Sequence, residues 1–245
     1  MNQNVRDFPF YDGEPVALRP GQWLLLLLSV AAGFAALYLP IGTETPLLRF
    51  IPAILFPAIP LLVLRAFVGP HWRTLFHRLT MKDILLALGI VVLNLCVTMA
   101  VGYLVGRFYS ANVNPVFGLL GHESTLDQVL FALQTLPQLL GEEVLTVIPF
   151  LALLALFKAK TSLSRSAGIM IAWALTAVLF GLVHLPTYQW NWVQCLLVIG
   201  SARLVLSLAY IWTRNLWVST LAHVLNDWIL FGFGLLMVIL GHTSA

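Results

Sequence analysis

Leu136–Phe157, LPQLLGEEVLTVIPFLALLALF, is apolar enough to cross a bilayer, yet it carries two adjacent carboxylates, Glu142 and Glu143. A spanning helix needs about 20 predominantly apolar residues, and a charge at its centre costs roughly 2.5–3.5 kcal/mol on insertion scales. Such a pair persists only where it faces a polar interior, stays protonated or performs a task. The stretch therefore bears on both questions, what the chain folds into and where its chemistry lies.

Around it, the 245-residue chain is 60% hydrophobic and only 9% charged. A soluble domain of that composition could not solvate its surface, so the chain reads as an all-α, polytopic integral membrane bundle. Apolar runs fall near 23–39, 47–68, 84–106, 128–157, 167–185, 193–213 and 216–240, which predicts about seven spans, within a range of six to eight. The fourth run is over-long and holds Pro137, Gly141 and Pro149, which predicts a broken helix or a short helix before a true span. No internal repeat or linker divides the chain, so residues 1–245 read as one membrane domain.

The formal charge of +3 comes from basic residues scattered through loops, which argues against a nucleic-acid partner. Arg6, Arg19, Arg73, Arg78, Lys82, Lys158, Lys160, Arg165 and Arg214 fall on one side of a seven-span topology, with Arg49 and Arg107 on the other. That asymmetry predicts a cytoplasmic N-terminus. The polar first 22 residues lack the pattern of a cleaved signal, so the first span reads as a retained helix. Cys96 and Cys195 both sit in apolar runs and read as buried small hydrophobes rather than a disulfide. The longest loop opposite the N-terminus, Arg107–Asp127, carries Asn112, Asn114, Pro115 and the polar run GHEST.

Ionisable residues inside the spans are few. They are Glu142, Glu143, Asp227, His184, His223 and Arg203, all on the last four spans. Intramembrane charges normally face a bundle interior and pair with one another, so these predict one shared site. In AHVLNDW, His223 and Asp227 are four apart on one helix face, with Asn226 beside them. In FGLVHLP, Phe180 and His184 are likewise four apart, and Pro186 ends the helix. Glu142 and Glu143 point about 100° apart, so one faces the reaction centre and the other supports it. One tension accompanies this grouping. His223 falls near the inner end of its span and His184 near the outer end, so a shared site requires tilted or staggered helices or an interrupted fourth segment.

GEE (Gly141–Glu143), FxxxH (Phe180, His184) and HxxxD (His223, Asp227) follow in order on successive apolar segments. This arrangement resembles the CPBP family, the CAAX-protease and bacteriocin-processing intramembrane proteases, with a catalytic core over about 125–240. The resemblance implies an endopeptidase acting on a membrane-anchored peptide or protein, with the bilayer as its other partner, and the compact chain is consistent with a bacterial inner membrane. It implies that Glu142 activates water together with His184, while His223 and Asp227, or Asn226 in place of Asp227, hold the oxyanion or orient the carbonyl. The family's arginine five residues after the first glutamate falls here on Val147, and Arg203 is expected to substitute from another helix. Zinc is left open. Its ligands would be Glu142, His184, His223 and Asp227, although HExxH is absent and metal-free catalysis is the preferred reading. Three other readings compete: a catalytically silent immunity or scaffold protein, a proton-coupled transporter, and a haem protein ligated by His184 and His223. Substrate identity and oligomeric state lie beyond the sequence.

Overall fold

The computed structural model describes residues 7–41, 45–116 and 123–241. Arg6 and the Gly121–His122 start of the polar GHEST run lie outside the described residues. Seven α-helices occur among the described residues: α1 Pro20–Ala36, α2 Phe50–Val68, α3 Met81–Gly106, α4 Thr125–Lys160, α5 Arg165–Val183, α6 Gly200–Thr213 and α7 Leu216–Ile239. Short 3₁₀ turns, Pro46–Arg49 and Gly69–Leu75, flank α2, and a π-helical turn, Gln194–Ile199, leads into α6. Six helical stretches are long and apolar enough to cross a membrane, and α1, at 17 residues, is a shorter apolar helix. The expected all-helical membrane bundle is present, and the six helices of crossing length among the described residues fall within the expected range of six to eight.

Polar side chains at the loop ends define where several helices begin. Thr80 and Asp83 form a reciprocal capping box at α3, at 3.3 and 2.9 Å. Ser124 and Ser164 accept the free N–H groups of Asp127 and Ala167 at α4 and α5. Each cap satisfies a donor that the helix itself cannot pair.

α4 is the axis of the bundle. It packs on α1, α2, α5 and α7, and 67% of its apolar window is buried, whereas no other candidate span exceeds 44%. Despite Pro137 and Pro149 it is one continuous helix of 36 residues, contrary to the expected break. Each proline forfeits one backbone hydrogen bond, and four neighbouring helices hold the two halves in line. α4 also packs unusually close to α2. A Cβ added at Gly141 would lie 2.4 Å from Cδ1 of Phe56, a fully buried ring. Only hydrogen fits at that position. Gly181 plays a similar part on α5, because a Cβ there would meet the Cys195 carbonyl oxygen at 2.5 Å. The π-helical turn is thereby drawn against the end of α5.

Of the two cysteines, Cys195 is buried, but Cys96 is exposed on the outward face of α3, contrary to expectation. In a lipid-facing position a thiol is still an acceptable small apolar group.

The segment before α1 does more than lead into the first helix. Phe8 and Phe10 are each only 2% exposed. The Phe8 ring packs edge-on against Phe150 at 5.2 Å and lies 6.1 Å from Tyr210. The guanidiniums of Arg214 and Arg165 stand 5.2 and 5.6 Å from its centroid. Asp7 pairs with Arg165 and accepts from the Tyr11 hydroxyl at 2.8 Å, while Lys158 lies over the Tyr11 ring. Burial pushes the Asp7 carboxyl upward, but hydrogen bonds from Arg165, Tyr11 and the Phe8 N–H outweigh it and hold the group below its ordinary value. The N-terminal segment thus plugs the basic end of the bundle.

Candidate active site

Near the opposite end the helices part around a cavity of ≈ 640 Å³. Glu142 of α4, Phe180 of α5, His184 just after it, Arg203 of α6, and His223, Asn226 and Asp227 of α7 all line it. Glu143 lies behind the wall and is fully buried. The α4 helix therefore separates the two carboxylates as their angular offset requires.

Arg203 accounts for the burial of Glu143. Its Nη1 and Nη2 donate to Oε1 and Oε2 of Glu143 at 2.6 and 2.8 Å, a two-pronged pair with both side chains fully buried. Nε of Arg203 donates to Ser207 at 3.2 Å, and its guanidinium stands 4.8 Å from the Phe180 ring centroid. A planar fork that stays charged is suited to both contacts. Val147, where the family arginine would fall, is buried and apolar, and α6 supplies the cation in its place.

Glu143 also takes His223. The imidazole Nδ1 lies 2.8 Å from Oε1 of Glu143. A carboxylate paired with arginine only accepts, so Nδ1 carries the proton and Nε2 faces the cavity. From there Nε2 is 3.8 Å from Oε2 of Glu142 and 3.7 Å from Oδ1 of Asp227. The same logic orients His184. Its Nδ1 lies 2.7 Å from the Phe180 carbonyl, which can only accept, so the neutral ring turns an unprotonated Nε2 toward the cavity.

The tension over depth is settled without breaking α4. The Phe180 ring lies between the two imidazoles, 4.5 Å from His184 and 6.1 Å from His223, while Asp227, Leu230 and Phe231 extend the cavity wall along α7.

The Asn226 amide is engaged within the protein on both sides. Its Nδ2 donates to Asp227 at 3.0 Å, and its Oδ1 accepts from Nδ2 of Asn94 at 2.9 Å. Asn94 belongs to α3, which the sequence reading left out of the site. A survey of ionisable residues passes over a neutral amide, although a lone asparagine in VVLNLCV is a polar group set deep in an apolar run. Gln138, at 3.5 Å from Glu142, and the wall residues Asn112, Tyr188 and Gln194 were missed for the same reason.

The four candidate zinc ligands line one cavity, but among the described residues no group of three or more His, Cys, Asp or Glu could hold a metal ion. The Nδ1 atoms of His184 and His223 are committed to Phe180 and Glu143, which leaves one nitrogen on each.

No curated protein and no solved structure matches the chain. Residues 125–229 match the family model for type II CAAX prenyl endopeptidase Rce1-like proteins. That segment contains Glu142, Glu143, Phe180, His184, Arg203, His223 and Asp227, and it is what the chain has in common with type II CAAX prenyl endopeptidase Rce1-like proteins.

Proposed function

We propose that this protein is an intramembrane endopeptidase that hydrolyses a peptide bond in a membrane-anchored peptide or protein, with Glu142 as the general base. One observation carries the reading. Two carboxylates and two imidazole Nε2 atoms line a single cavity, and a buried Arg203–Glu143 pair holds one of those imidazoles from behind.

Glu142, with His184 accepting through Nε2, removes a proton from water as its oxygen attacks the scissile carbonyl. Negative charge moves onto the carbonyl oxygen. In its protonated form, His223 donates to that oxygen through Nε2–H, while Nδ1–H stays on Glu143. Asp227, fixed by Asn226 and Asn94, sets the imidazole plane. Collapse of the tetrahedral species breaks the C–N bond, and the proton taken by Glu142 passes to the departing amine. Arg203 and Glu143 touch no substrate in this scheme and act as positioning residues.

The basic residues near the N-terminal plug support a cytoplasmic N-terminus, and the compact helical chain suits a bacterial inner membrane. The test compares the wild type with Glu142→Gln, Glu143→Gln, His184→Ala and His223→Ala on a processed, membrane-anchored peptide reporter. Cleavage lost in Glu142→Gln and His184→Ala is the expected result, and cleavage that survives all four substitutions would end the proposal. Metal analysis and chelator treatment of the same preparation decide whether an ion takes part.

A further inference from the structure

Residues Ser110–Asn114 cross the cavity with the features of an edge strand that has no sheet. The Asn112 N–H donates to Oε1 of Gln194 at 2.8 Å, and the Asn112 carbonyl accepts from Nε2 of Gln194 at 2.9 Å. A side-chain amide making both bonds takes the place of a paired residue in an antiparallel ladder, which requires the Asn112 N–H and C=O to share one edge, as in extended backbone. Two residues earlier, the Ser110 carbonyl accepts from Nδ2 of Asn191 at 2.8 Å, on the same edge. Exposure alternates as well: Ala111 and Val113 are exposed, while Asn112 and Asn114 are half-buried. The amides of Asn112 and Asn114 both reach Tyr188, one its carbonyl at 2.7 Å and the other its hydroxyl at 3.3 Å. Period two in backbone bonding, exposure and side-chain direction is the signature of a strand.

In that geometry the N–H and C=O of Val113 point to the opposite edge. Neither has a hydrogen-bond partner among the described residues. Asn112, Val113 and Asn114 line the same cavity as Glu142, His184 and His223.

We propose that the substrate binds as an added strand on the Val113 edge, its own N–H and C=O pairing with those of Val113. This rests on the endopeptidase reading and names what that site selects, which is an extended peptide segment recognised through its backbone. A helical segment has no free backbone groups to offer and is refused until it unwinds. Gln194 is a positioning residue that keeps the strand straight from its other edge.

Val113→Pro removes the donor at little structural cost, because that N–H is unpaired and the extended Asn112 is the conformation that a following proline demands. Using the peptide reporter and copies N-methylated at single positions, Val113→Pro should raise KM roughly tenfold, the scale of one lost backbone hydrogen bond, with kcat near wild type. One N-methyl position should raise KM comparably in wild type and in Val113→Pro alike, because that substrate N–H pairs with the Val113 carbonyl, which proline keeps. Should Val113→Pro fail to fold, the wild-type N-methyl scan decides alone: a penalty at one position supports the added strand, and a flat scan overturns it. A KM unchanged in Val113→Pro also overturns the proposal. A readout independent of turnover is hydrogen exchange at the Val113 N–H in Glu142→Gln, which should slow when uncleaved reporter is added. If wild type cleaves nothing, the endopeptidase reading falls; slowed exchange would still support the strand, and unchanged exchange would overturn it too.

Discussion

The two ends of this bundle solve opposite problems with similar residues. At the basic end, arginine meets aromatic rings and one carboxylate, and the gap is closed: Arg165 and Arg214 stand against Phe8, and Asp7 pairs with Arg165. Near the other end, Arg203 also meets a ring and a carboxylate, Phe180 and Glu143, but beside an open cavity of ≈ 640 Å³. The difference lies in what remains exposed. The plug leaves Phe8 only 2% accessible, whereas burying Glu143 leaves its neighbour Glu142 facing the void. One end closes over its ion and ring contacts, and the other sets the same kinds of contact beside an open cavity.

Substitutions can break this contrast. The largest expected effect is Glu142→Gln, which should lower kcat by roughly 10²–10⁴, the range of a positioned acid–base group, and leave the unfolding midpoint in detergent micelles near wild type. Arg203→Met should lower stability by about 3–5 kcal/mol, because it strands a buried carboxylate, and the Arg203→Met/Glu143→Leu pair should recover much of that loss. Thermal or denaturant unfolding in micelles checks both variants. Recovery of fold without cleavage in the double variant would sharpen the division between holding and reacting.

Phe8→Ala at the closed end should cost about 3 kcal/mol, at the low end for deleting a buried aromatic ring, with kcat near wild type in the surviving folded fraction. Equal losses of kcat and stability would dissolve the contrast. The smallest effect belongs to Asp7, whose side chain is 39% exposed, so the pair with Arg165 is worth about 1 kcal/mol or less after solvent screening. Its folded value is depressed, so its contribution is complete above the ordinary carboxylate pKa of about 4 and fades as pH falls below that. Asp7→Asn should therefore differ from wild type in unfolding midpoint at pH 7, and the difference should shrink toward pH 3.

Much of the membrane core was legible because charge in an apolar run is costly and therefore informative. That reasoning groups Glu142, His184, His223 and Asp227 as neighbours, which the structure places on one cavity wall, while the resemblance, through Val147, points to Arg203 as the cation for the glutamate pair. It did not extend to neutral amides. Asn94, Gln194 and Asn112 carry no charge to flag them, and their partners lie on other elements, so spacing along the chain does not reveal the pairing. The continuity of α4 was hidden for a related reason. Pro137 and Pro149 are local signals for a break, and the packing that overrides them comes from four other helices. The N-terminal plug reads from sequence as an ordinary polar leader, because Phe8 and Phe10 become core only once Phe150 and Tyr210 are folded beneath them.

The close approach at Gly141 makes the matched segment dependent on what precedes it. Residues 125–229 hold the reactive groups, but the depth of the glutamate pair is set against the flat ring of Phe56, which lies outside them. A transplant of 125–229 into another scaffold would carry the chemistry without its depth gauge. Such a chimera would require a helix presenting an aromatic face opposite Gly141, and a shortened version of this chain would have to keep α2 to hold the glutamate pair at that depth.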